Sequence, residues 1–258
     1  DTIPPQITCP PDTLVACFDE VPAPLLSQTA FITAGGALSD NGGIAEFNYL
    51  GETVSGKCPT IIVRTYQVVD SCKLEAICQQ TITVNDTVKP VMSCPADITV
   101  SCLTEVPPAD PAKILATDNC GGTVTITHVG DQATGTCPTI ISRTFQATDS
   151  CGNTTQCEQI ITVNDTIAPV FSVTPQPVLA VDCIGLVPLP ETVTATDNCG
   201  PVPVQFTETV TDSICENQMT ITRTWTAVDL CGNAVSATQV VTVNDTIAPV
   251  FSVTPQPV

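Results

Sequence analysis

Cysteines are the residues whose types and spacing most clearly predict chemistry in this chain, which contains 15 of them. Zinc sites need paired short spacings such as Cys-x-x-Cys, which this sequence lacks, and they often use histidine, of which it has only His128. Disulfide bonds are therefore the chemistry that the cysteines predict. Such bonds persist in oxidising compartments, so we expect a secreted protein at the extracellular cell surface.

Aspartate and asparagine residues beside the cysteines form a second set with chemical potential. The motif Thr-Asp-Asn-Cys occurs at 117–120 and 196–199, and Asp-x-Cys-Gly-Asn occurs at 149–153 and 229–233. A cluster of oxygen ligands is what a hard cation such as calcium binds. The same residue types also cap turns and satisfy loop backbone groups, and the sequence leaves this alternative open.

These residues are positioned by a repeat that is marked by the motif Val-Asn-Asp-Thr. The motif recurs at a spacing of about 80 residues, at 84–87, 163–166 and 243–246. Such a period is typical of tandem small domains. The predicted domains are repeat 1 at 1–85, repeat 2 at 86–164, repeat 3 at 165–244, and the linker and first strand of a following repeat at 245–258.

Residues 244–258 repeat 164–178 identically, and the segment 245–258 has no domain of its own. This segment is either a truncated repeat or a strand donated to the sheet edge of another chain. Because the chain begins within the repeat pattern at Asp1, we interpret it as a piece of a longer protein.

Each repeat shows short runs of alternating apolar residues rich in valine, isoleucine and threonine, separated by proline, glycine and asparagine. No stretch has a sustained helical period. The pattern predicts an all-β fold of tandem immunoglobulin-like β-sandwich domains, stapled by disulfides, with strands of about five to seven residues. An Arg-Thr-aromatic motif recurs on one predicted strand of each repeat, with its arginine on the core side at Arg64, Arg143 and Arg223. We expect each arginine to pair structurally with a carboxylate or carbonyl.

The disulfide pairs follow from comparing the repeats. Repeat 3 lacks the first and last of the six cysteine columns that repeat 2 fills. Cysteines that are lost together are most simply partners, and the first and last strands of a sandwich of this kind run side by side in parallel. The sequence therefore predicts Cys94–Cys157 in repeat 2 and Cys9–Cys78 in repeat 1.

The other cysteines fall at the two ends of each predicted sandwich. Two lie at the lower end and two lie in loops at the upper end, which predicts pairing within each end. The predicted pairs are Cys17–Cys58, Cys102–Cys137, Cys120–Cys151, Cys183–Cys215 and Cys199–Cys231. In repeat 1 Gly42 replaces the partner of Cys72, which is predicted to be a free thiol.

The carboxylate loops belong at the upper end, where the preceding linker arrives with its own aspartate. We expect the oxygen ligands to converge on calcium at each joint, at Asp86, Asp118, Asn119, Asp149 and Asn153 and at Asp165, Asp197, Asn198, Asp229 and Asn233. Repeat 1 departs from the motif through Gly42 and Lys73, so calcium is not expected above it.

Together these motifs resemble the hyalin repeat family. The resemblance rests on ITCP (7–10), SCPADI (93–98) and TDSCGN (148–153) followed by TTQCEQIITVND, and it covers nearly the whole chain. The chain is similar in particular to the hyalin-type repeats of large surface adhesins of Bacteroidetes. This resemblance implies immunoglobulin-like domains, secretion and an adhesive or filament-forming role. The linker VNDTIAPVF also resembles the calcium-binding linker of cadherins. Repeat 3 departs from the hyalin pattern at its first and last cysteines.

Glycan attachment is a further expectation. If the source is such a bacterium, Asp-Thr-aliphatic triplets resemble its O-glycosylation motif, at Thr2, Thr13, Thr87, Thr166 and Thr246. In a eukaryote the Asn-Asp-Thr motif would instead be an N-glycan sequon, at Asn85, Asn164 and Asn244.

The net charge of −19 argues against nucleic acid or an anionic membrane surface as partner. No apolar run is long enough for membrane insertion, and no catalytic set recurs, so an enzyme is not expected. The expected partners are neighbouring repeats of the same protein, other copies in a filament, and surface glycans. The sequence favours a structural stalk or filament segment; the alternative is an adhesive module that binds glycan or protein through exposed loops, with Phe47, Tyr49 and Phe206 as candidate contacts.

Overall fold

The structure is a computed structural model that describes residues 2–215, 218–248 and 250, with the backbone alone described for 212–215. It divides into two compact units. The first comprises Asp1–Pro95, Ala109–Gly130 and Arg143–Gln159, and the second comprises Ala96–Pro108, Asp131–Ser142 and Ile160–Val258. Repeat 1 lies within the first unit and repeat 3 within the second, while repeat 2 contributes segments to both.

Repeat 1 forms a four-stranded sheet of order β2-β6-β5-β4 and a two-stranded sheet of β1 and β3. Its elements are β1 (Gln6–Thr8), β2 (Thr13–Val15), α1 (Gln28–Thr33), β3 (Ala37–Ser39), β4 (Ile44–Gly56), β5 (Thr60–Asp70) and β6 (Glu75–Val84), with a 3₁₀ turn at Phe18–Glu20. The first strand of the larger sheet, β2, pairs in parallel with the last, β6, as expected.

Repeat 2 has the same plan, with a four-stranded sheet of order β10-β11-β12-β8 and a two-stranded sheet of β7 and β9. Its strands are β7 (Val91–Met92), β8 (Ile98–Val100), β9 (Ala116–Thr117), β10 (Thr125–Thr134), β11 (Thr139–Thr148) and β12 (Thr154–Val163), with 3₁₀ turns at Leu103–Glu105 and Pro111–Lys113. Strand β8 again pairs in parallel with β12.

Repeat 3 forms a four-stranded sheet of order β14-β19-β18-β17 and a three-stranded sheet of order β13-β15-β16. Its strands are β13 (Val170–Phe171), β14 (Val178–Val181), β15 (Ala195–Asp197), β16 (Gly200–Val202), β17 (Val204–Cys215), β18 (Gln218–Val228) and β19 (Ala234–Asn244), with a 3₁₀ turn at Ile184–Leu186. The prediction for 245–258 falls largely outside the described residues, because 249 and 251–258 are not among them.

The all-β, tandem-sandwich prediction is confirmed, and alternation along the central strands explains the core. In β5 every second residue from Ile62 is buried, and Ile62 packs with Ile82 and Val84. Equivalent small clusters form around Ile161 and around Val241. Each cluster contains only a few aliphatic side chains, as expected for such small repeats.

The structure departs from the prediction in strand length and in one helix. Strands β4 and β5 are 13 and 11 residues long, because hairpins extend well past the core. Helix α1 spans only 6 residues, too few for a helical period to be visible in the sequence. The Ser27 hydroxyl accepts the Ala30 N–H at its start, and its Phe31 is fully buried. Among the described residues no helix is both long and apolar enough to cross a membrane.

The arginine interpretation is confirmed where the structure gives the contacts. Arg64 and Arg223 are buried, and their Nε atoms donate to Glu52 at 2.8 Å and to Glu208 at 2.7 Å. Arg223 also donates to the carbonyl oxygen of Pro188 at 2.8 Å. Pairing of this kind keeps a buried guanidinium from being left without acceptors.

Candidate functional site: disulfide-linked junctions

Each repeat has two ends that differ in chemistry. The head carries the Asp-Asn-Cys and Asp-x-Cys loops and receives the preceding linker; the tail is the end from which the next linker leaves. The first junction joins the tail of repeat 1 to the head of repeat 2 and lies wholly within the first compact unit. The second joins repeats 2 and 3 and lies wholly within the second unit.

Two disulfides lie inside single repeats. Cys9 is bonded to Cys78, with Cα atoms 5.6 Å apart, and Cys94 is bonded to Cys157, with Cα atoms 5.8 Å apart. These are the pairs expected from the cysteines that repeat 3 lacks. In repeat 1 the bond ties the segment after β1 to β6, so it holds the smaller sheet against the larger one.

The remaining described disulfides join consecutive repeats, so the prediction of pairing within each end is wrong. At the first junction Cys17 is bonded to Cys120 and Cys58 to Cys151, with Cα separations of 5.0 and 5.3 Å. The second junction repeats the scheme with Cys102–Cys199 and Cys137–Cys231. The predicted pairs Cys17–Cys58, Cys102–Cys137, Cys120–Cys151 and Cys199–Cys231 are therefore absent.

The physical reason is that tail cysteines and head cysteines meet at the joint. Both members of each predicted pair do lie at the predicted end of their sandwich. Each of these cysteines, however, faces a cysteine of the neighbouring repeat. The sequence does contain a signal for pairing across the joint. The linker that leaves the tail of one repeat leads directly into the next repeat and brings the head loops of that repeat to the joint. The predicted Cys183–Cys215 pair lies outside the described residues because the Cys215 side chain is not described. Cys183 is not bonded to any cysteine whose side chain is described, and Cys72 is an exposed free thiol, as expected.

The structure brings together one linker aspartate and one head aspartate at each joint. At the first junction Asp86, Asp118 and the Cys120 sulfur each offer an atom within 4.8 Å of the others. Asp165, Asp197 and Cys199 form the same group at the second junction. These two pairs of carboxylates are the part of the predicted calcium site that converges.

Each pair includes a buried carboxylate oxygen that finds no hydrogen-bond partner in the part of the chain that the structure describes. Asp86 Oδ1 accepts the Val88 N–H at 3.0 Å, and Asp118 Oδ2 accepts the Cys120 N–H at 3.1 Å. Asp118 Oδ1 is buried, with no hydrogen-bond donor among the described residues, and Asp197 Oδ1 is in the same state at the second junction. A carboxylate oxygen in this position calls for a proton or a cation.

Asp149 and Asp229 do not join these groups, because their oxygens are used to close the head loop. Asp149 Oδ1 accepts the N–H groups of Cys151 at 2.8 Å and Asn153 at 2.9 Å, and Oδ2 accepts the Asn153 side-chain amide at 2.8 Å. Asp229 does the same with Cys231 and Asn233. For these residues the turn-capping alternative describes the geometry.

Asn153 and Asn233 also tie the loop to the linker. The Asn153 amide donates to the carbonyl oxygen of Asp86 at 3.1 Å, and the Asn233 amide donates to that of Asp165 at 3.0 Å. Each asparagine is a latch between the head loop and the incoming chain. The sequence predicts these asparagines as cation ligands, whereas the structure gives each of them a backbone carbonyl partner.

Asn119 and Asn198 present their amide nitrogens to the joint. The Asn119 amide lies 3.4 Å from the Cys17 sulfur and 3.1 Å from the Cys120 sulfur. The Asn198 amide makes the equivalent contacts and also donates to Asp165 Oδ1 at 3.2 Å. In this arrangement the two asparagines offer donors to the cluster, where a cation would need acceptors.

The hydrogen bonds shift the acidity of two junction aspartates. Burial would raise the pKa of the Asp149 carboxyl, but the Asn153 amide and the backbone N–H groups of the loop outweigh it and lower this pKa. The Ile167 N–H lowers the pKa of Asp165, and the Asn198 side chain adds to the effect. Both carboxylates are therefore held in the ionised form that accepts these bonds.

The residues predicted to carry O-glycans lie mostly on the surface. Four of them are exposed, at Thr2, Thr87, Thr166 and Thr246. Thr13 is half-buried, and its hydroxyl lies 3.4 Å from the carbonyl oxygen of Pro11. Glycan attachment at these positions stays a prediction.

A known family model matches two segments of the chain. The family model described as "HYR-like domain with 4 cysteines" matches residues 90–163 and 171–243. No curated protein matches the chain.

Among solved structures, the chain is similar to a protocadherin gamma B7 EC3-6 cis-dimer structure at 12% identity, covering 93% of this chain and 77% of that chain with a TM-score of 0.34. Drosophila N-cadherin EC1-4 matches at 12% identity over 93% of this chain and 75% of that chain, with a TM-score of 0.31. Human CDH23 EC21-23 matches at 13% identity over 78% of this chain and 89% of that chain, with a TM-score of 0.27.

Proposed function

Because the chain belongs to the family of HYR-like domains with four cysteines, we propose that it is a non-enzymatic stalk or filament segment outside the cell, whose consecutive repeats are locked together covalently. The observation that carries the proposal is the pair of disulfides at each junction. Six disulfides among the described residues require an oxidising compartment, which supports an extracellular location. The resemblance to hyalin-type repeats of large bacterial surface adhesins supports the same role.

The two bridges at a junction restrict motion in a way that a linker cannot. Domains joined by one linker rotate against each other unless their interface is large. At the first junction the linker and the two bridges connect repeats 1 and 2 by three separate covalent paths. Since the two bridges leave from different loops of each repeat, they restrict rotation about the linker. A stiff stalk needs this restriction of motion.

The candidate contacts of the adhesive alternative pack against buried rings. Phe47 and Tyr49 are half-buried, and their rings lie 5.9 and 5.6 Å from the ring of the buried Tyr66. The ring of Phe206 lies 5.1 Å from that of Trp225, which is also buried. Phe47 and Tyr49 therefore contribute to the core of repeat 1, while Phe206, which is 42% exposed, is still available as a contact.

Calcium at the joints belongs to the proposal as a secondary element. Calcium takes about six to eight oxygen ligands, and each junction supplies two converging carboxylates, so water would complete the shell. We infer that a bound cation would neutralise Asp86 with Asp118, and Asp165 with Asp197. The disulfides, and not the cation, would set the geometry of the joint.

Electron microscopy of single molecules tests the stalk role. The oxidised chain should give a narrow distribution of angles between repeats 1 and 2, and a variant in which all four first-junction cysteines are serine should give a broad one. Cys9→Ser with Cys78→Ser is the matched control, because it removes a bridge inside one repeat and should leave the angles narrow. Equal distributions of the angle between repeats 1 and 2 in all three proteins would contradict the stalk proposal. Specific binding on a glycan array would favour the adhesive alternative.

A further inference from the structure

The outer side of the four-stranded sheet of repeat 3 carries no charged side chain among its described residues, although the chain has a net charge of −19. Threonines occupy alternate positions of β18 on this side, at Thr220, Thr222, Thr224 and Thr226, and the residues between them are buried. We propose that this outer side, called the threonine face, packs against the threonine face of a second copy of the chain. Such a contact joins two chains and is independent of the stalk role.

Hydroxyl-bearing side chains continue in register across the neighbouring strands. Thr224 lies opposite Thr207 of β17 and Thr238 of β19. Thr220 lies opposite Thr211 and Thr242 on the same two strands. Side chains that are directly opposite in an antiparallel pair stand on the same side of the sheet, with Cβ atoms about 4.5–5.5 Å apart. The threonine face is therefore a regular array of hydroxyl and methyl groups.

The charged side chains of these strands lie on the other side of the sheet. Arg223 of β18 and Glu208 of β17 are register partners, and the arginine Nε donates to the glutamate at 2.7 Å. The outer side of the repeat 1 sheet, by contrast, carries Glu75, which accepts the Gln67 side-chain amide at 2.7 Å. Strand β12 of repeat 2 carries the exposed Glu158. The uncharged outer side thus distinguishes repeat 3 from the other two repeats.

Electrostatics favours this face for contact between copies. Two chains that each carry a net charge of −19 repel one another, and salt screens this repulsion beyond about 8 Å at physiological ionic strength. A contact through the threonine face brings only neutral side chains together, so it neither desolvates a carboxylate nor places two carboxylates against each other. A contact through the outer side of repeat 1 would instead bury Glu75.

The twist of the sheet favours a second sheet over a flat partner. Neighbouring strands of a sheet are rotated by about 20–25°, so the threonine face is not planar. Two sheets of the same twist interdigitate their side chains when their strand directions agree to within about 30°. A flat lattice, such as ice or a crystalline polysaccharide, would touch only part of this face. Stacking on a sugar also needs an aromatic ring, and the rings of Phe206 and Trp225 belong to the opposite side of the sheet.

The side chains of the face are suited to burial in such a contact. Threonine is β-branched and already restricted at χ1, so ordering it costs little conformational entropy. Its hydroxyl both donates and accepts, so opposing hydroxyls pair directly or through water. The fourth strand, β14, adds apolar area, since Val178 lies opposite Val240 and is 69% exposed.

The size of the face predicts a weak contact. Four strands about 4.8 Å apart, each contributing about seven residues at about 3.4 Å per residue, cover roughly 450 Å² on each copy. Stable complexes bury about 800 Å² on each partner. We therefore expect a reversible dimer that forms at high protein concentration, and that is favoured where many copies stand side by side.

Sedimentation equilibrium of the chain over a range of concentrations tests this contact. The parent chain should show a monomer–dimer equilibrium that strengthens as salt is added, because screening reduces the repulsion between copies. Thr222→Asp should lower the association constant by at least about tenfold, since it places carboxylates inside the contact. Thr81→Asp is the matched control on the outer side of repeat 1, and it should leave the association constant unchanged.

A mixture of Thr222→Asp with Thr222→Lys keeps the test decisive if either variant is less stable than the parent. Each variant alone should be monomeric, and the mixture should form a heterodimer that added salt weakens. Methyl NMR of the threonine-labelled parent should show concentration-dependent shifts confined to the threonine face, for example at Thr207, Thr224 and Thr238.

A parent chain that stays monomeric at every concentration would overturn the proposal, as would a dimer that survives Thr222→Asp. Concentration-dependent methyl shifts that lie outside the threonine face would also overturn it. So would a monomeric parent that binds ice crystals or cellulose in a manner abolished by Thr222→Asp, because the partner of the face would then be a flat surface.

Discussion

Cys17 of repeat 1 is bonded to Cys120 of repeat 2, and their Cα atoms lie 5.0 Å apart although 103 positions separate them in sequence. This bond and its counterpart at Cys58 make the joint between two small domains a covalent structure. The joint then depends little on the area of contact between domains.

Loss of the junction bridges should expose the linker to protease. Cys17→Ser with Cys120→Ser, combined with Cys58→Ser and Cys151→Ser, should speed cleavage within 85–91, since closing a loop of this size contributes about 4–5 kcal/mol in the chain-entropy model. Limited proteolysis followed by mass spectrometry measures the cleavage. Cys9→Ser with Cys78→Ser should destabilise repeat 1 while cleavage at the linker stays slow. Equal linker cleavage in all variants would contradict the locking role.

Asn153 should be the latch between the head loop and the linker. Asn153→Leu introduces the residue that repeat 1 has at this position and leaves Asp149 Oδ2 and the Asp86 carbonyl oxygen without their donor, at a cost of about 1–3 kcal/mol. Leu74→Asn is the reciprocal variant, and it should stabilise repeat 1 by supplying a donor to Asp70. Thermal unfolding of both variants measures the effect, and a change of the same sign in the two would contradict the assignment.

The backbone conformation of Lys73 should destabilise the folded protein. Its φ of 71° lies in the left-handed region, where a residue other than glycine loses about 1–2 kcal/mol. Lys73→Gly should therefore raise the unfolding free energy by up to about 1 kcal/mol, even though it removes an exposed ion pair with Glu46 that contributes little. Lys73→Ala removes the same pair and retains the strain, so chemical denaturation should find it no more stable than the parent chain.

Acid should loosen the head loops. The pKa of Asp149 is lowered in the folded protein, so its ionised form contributes stability that is fully present above the ordinary carboxyl pKa of 3.8. That stability is lost as the pH falls through the lower, folded-state pKa. The midpoint of thermal unfolding should thus fall as the pH is taken below about 4. In Asp149→Asn this part of the pH dependence should be smaller, and an unchanged profile would argue against the loop bonds.

The effect of a cation at the first joint on thermal stability should depend on Asp118. In the parent chain calcium should raise the unfolding temperature and a chelator should lower it, because Asp86 and Asp118 repel each other when both are ionised. Asp118→Asn removes this repulsion and should make the protein insensitive to the chelator. Asp110→Asn, an exposed substitution outside the joint, is the control. If neither calcium nor the chelator changes the unfolding temperature of the parent chain, a cation at this joint is excluded.

Much of the fold could be predicted from the sequence because alternation carries the signal. Every second residue of β5 is buried, and the joint loss of two columns identified Cys94 with Cys157. Helix α1 could not be predicted, since 6 residues do not show a period and Phe31 at its centre is buried by tertiary packing.

The pairing of the junction cysteines could not be settled by assigning them to the ends of a sandwich. Cys17 and Cys58 do share the tail, and Cys120 and Cys151 do share the head, so pairing within an end and pairing across the joint satisfy the same assignment. The choice depends on which loops the linker brings together in three dimensions. The role of Asn153 was hidden for the same reason, because its partner is a backbone oxygen of the linker that no side-chain pattern reveals.

Disulfides join consecutive repeats in the structure, and non-reduced peptide mapping of the native protein is the sharpest test of this pairing. Free thiols are blocked at acidic pH before digestion, so that bonds do not exchange. The structure predicts peptides that link Cys17 to Cys120 and Cys58 to Cys151. Peptides that link Cys17 to Cys58 and Cys120 to Cys151 would show that this pairing is wrong, because each repeat would then carry only disulfides of its own.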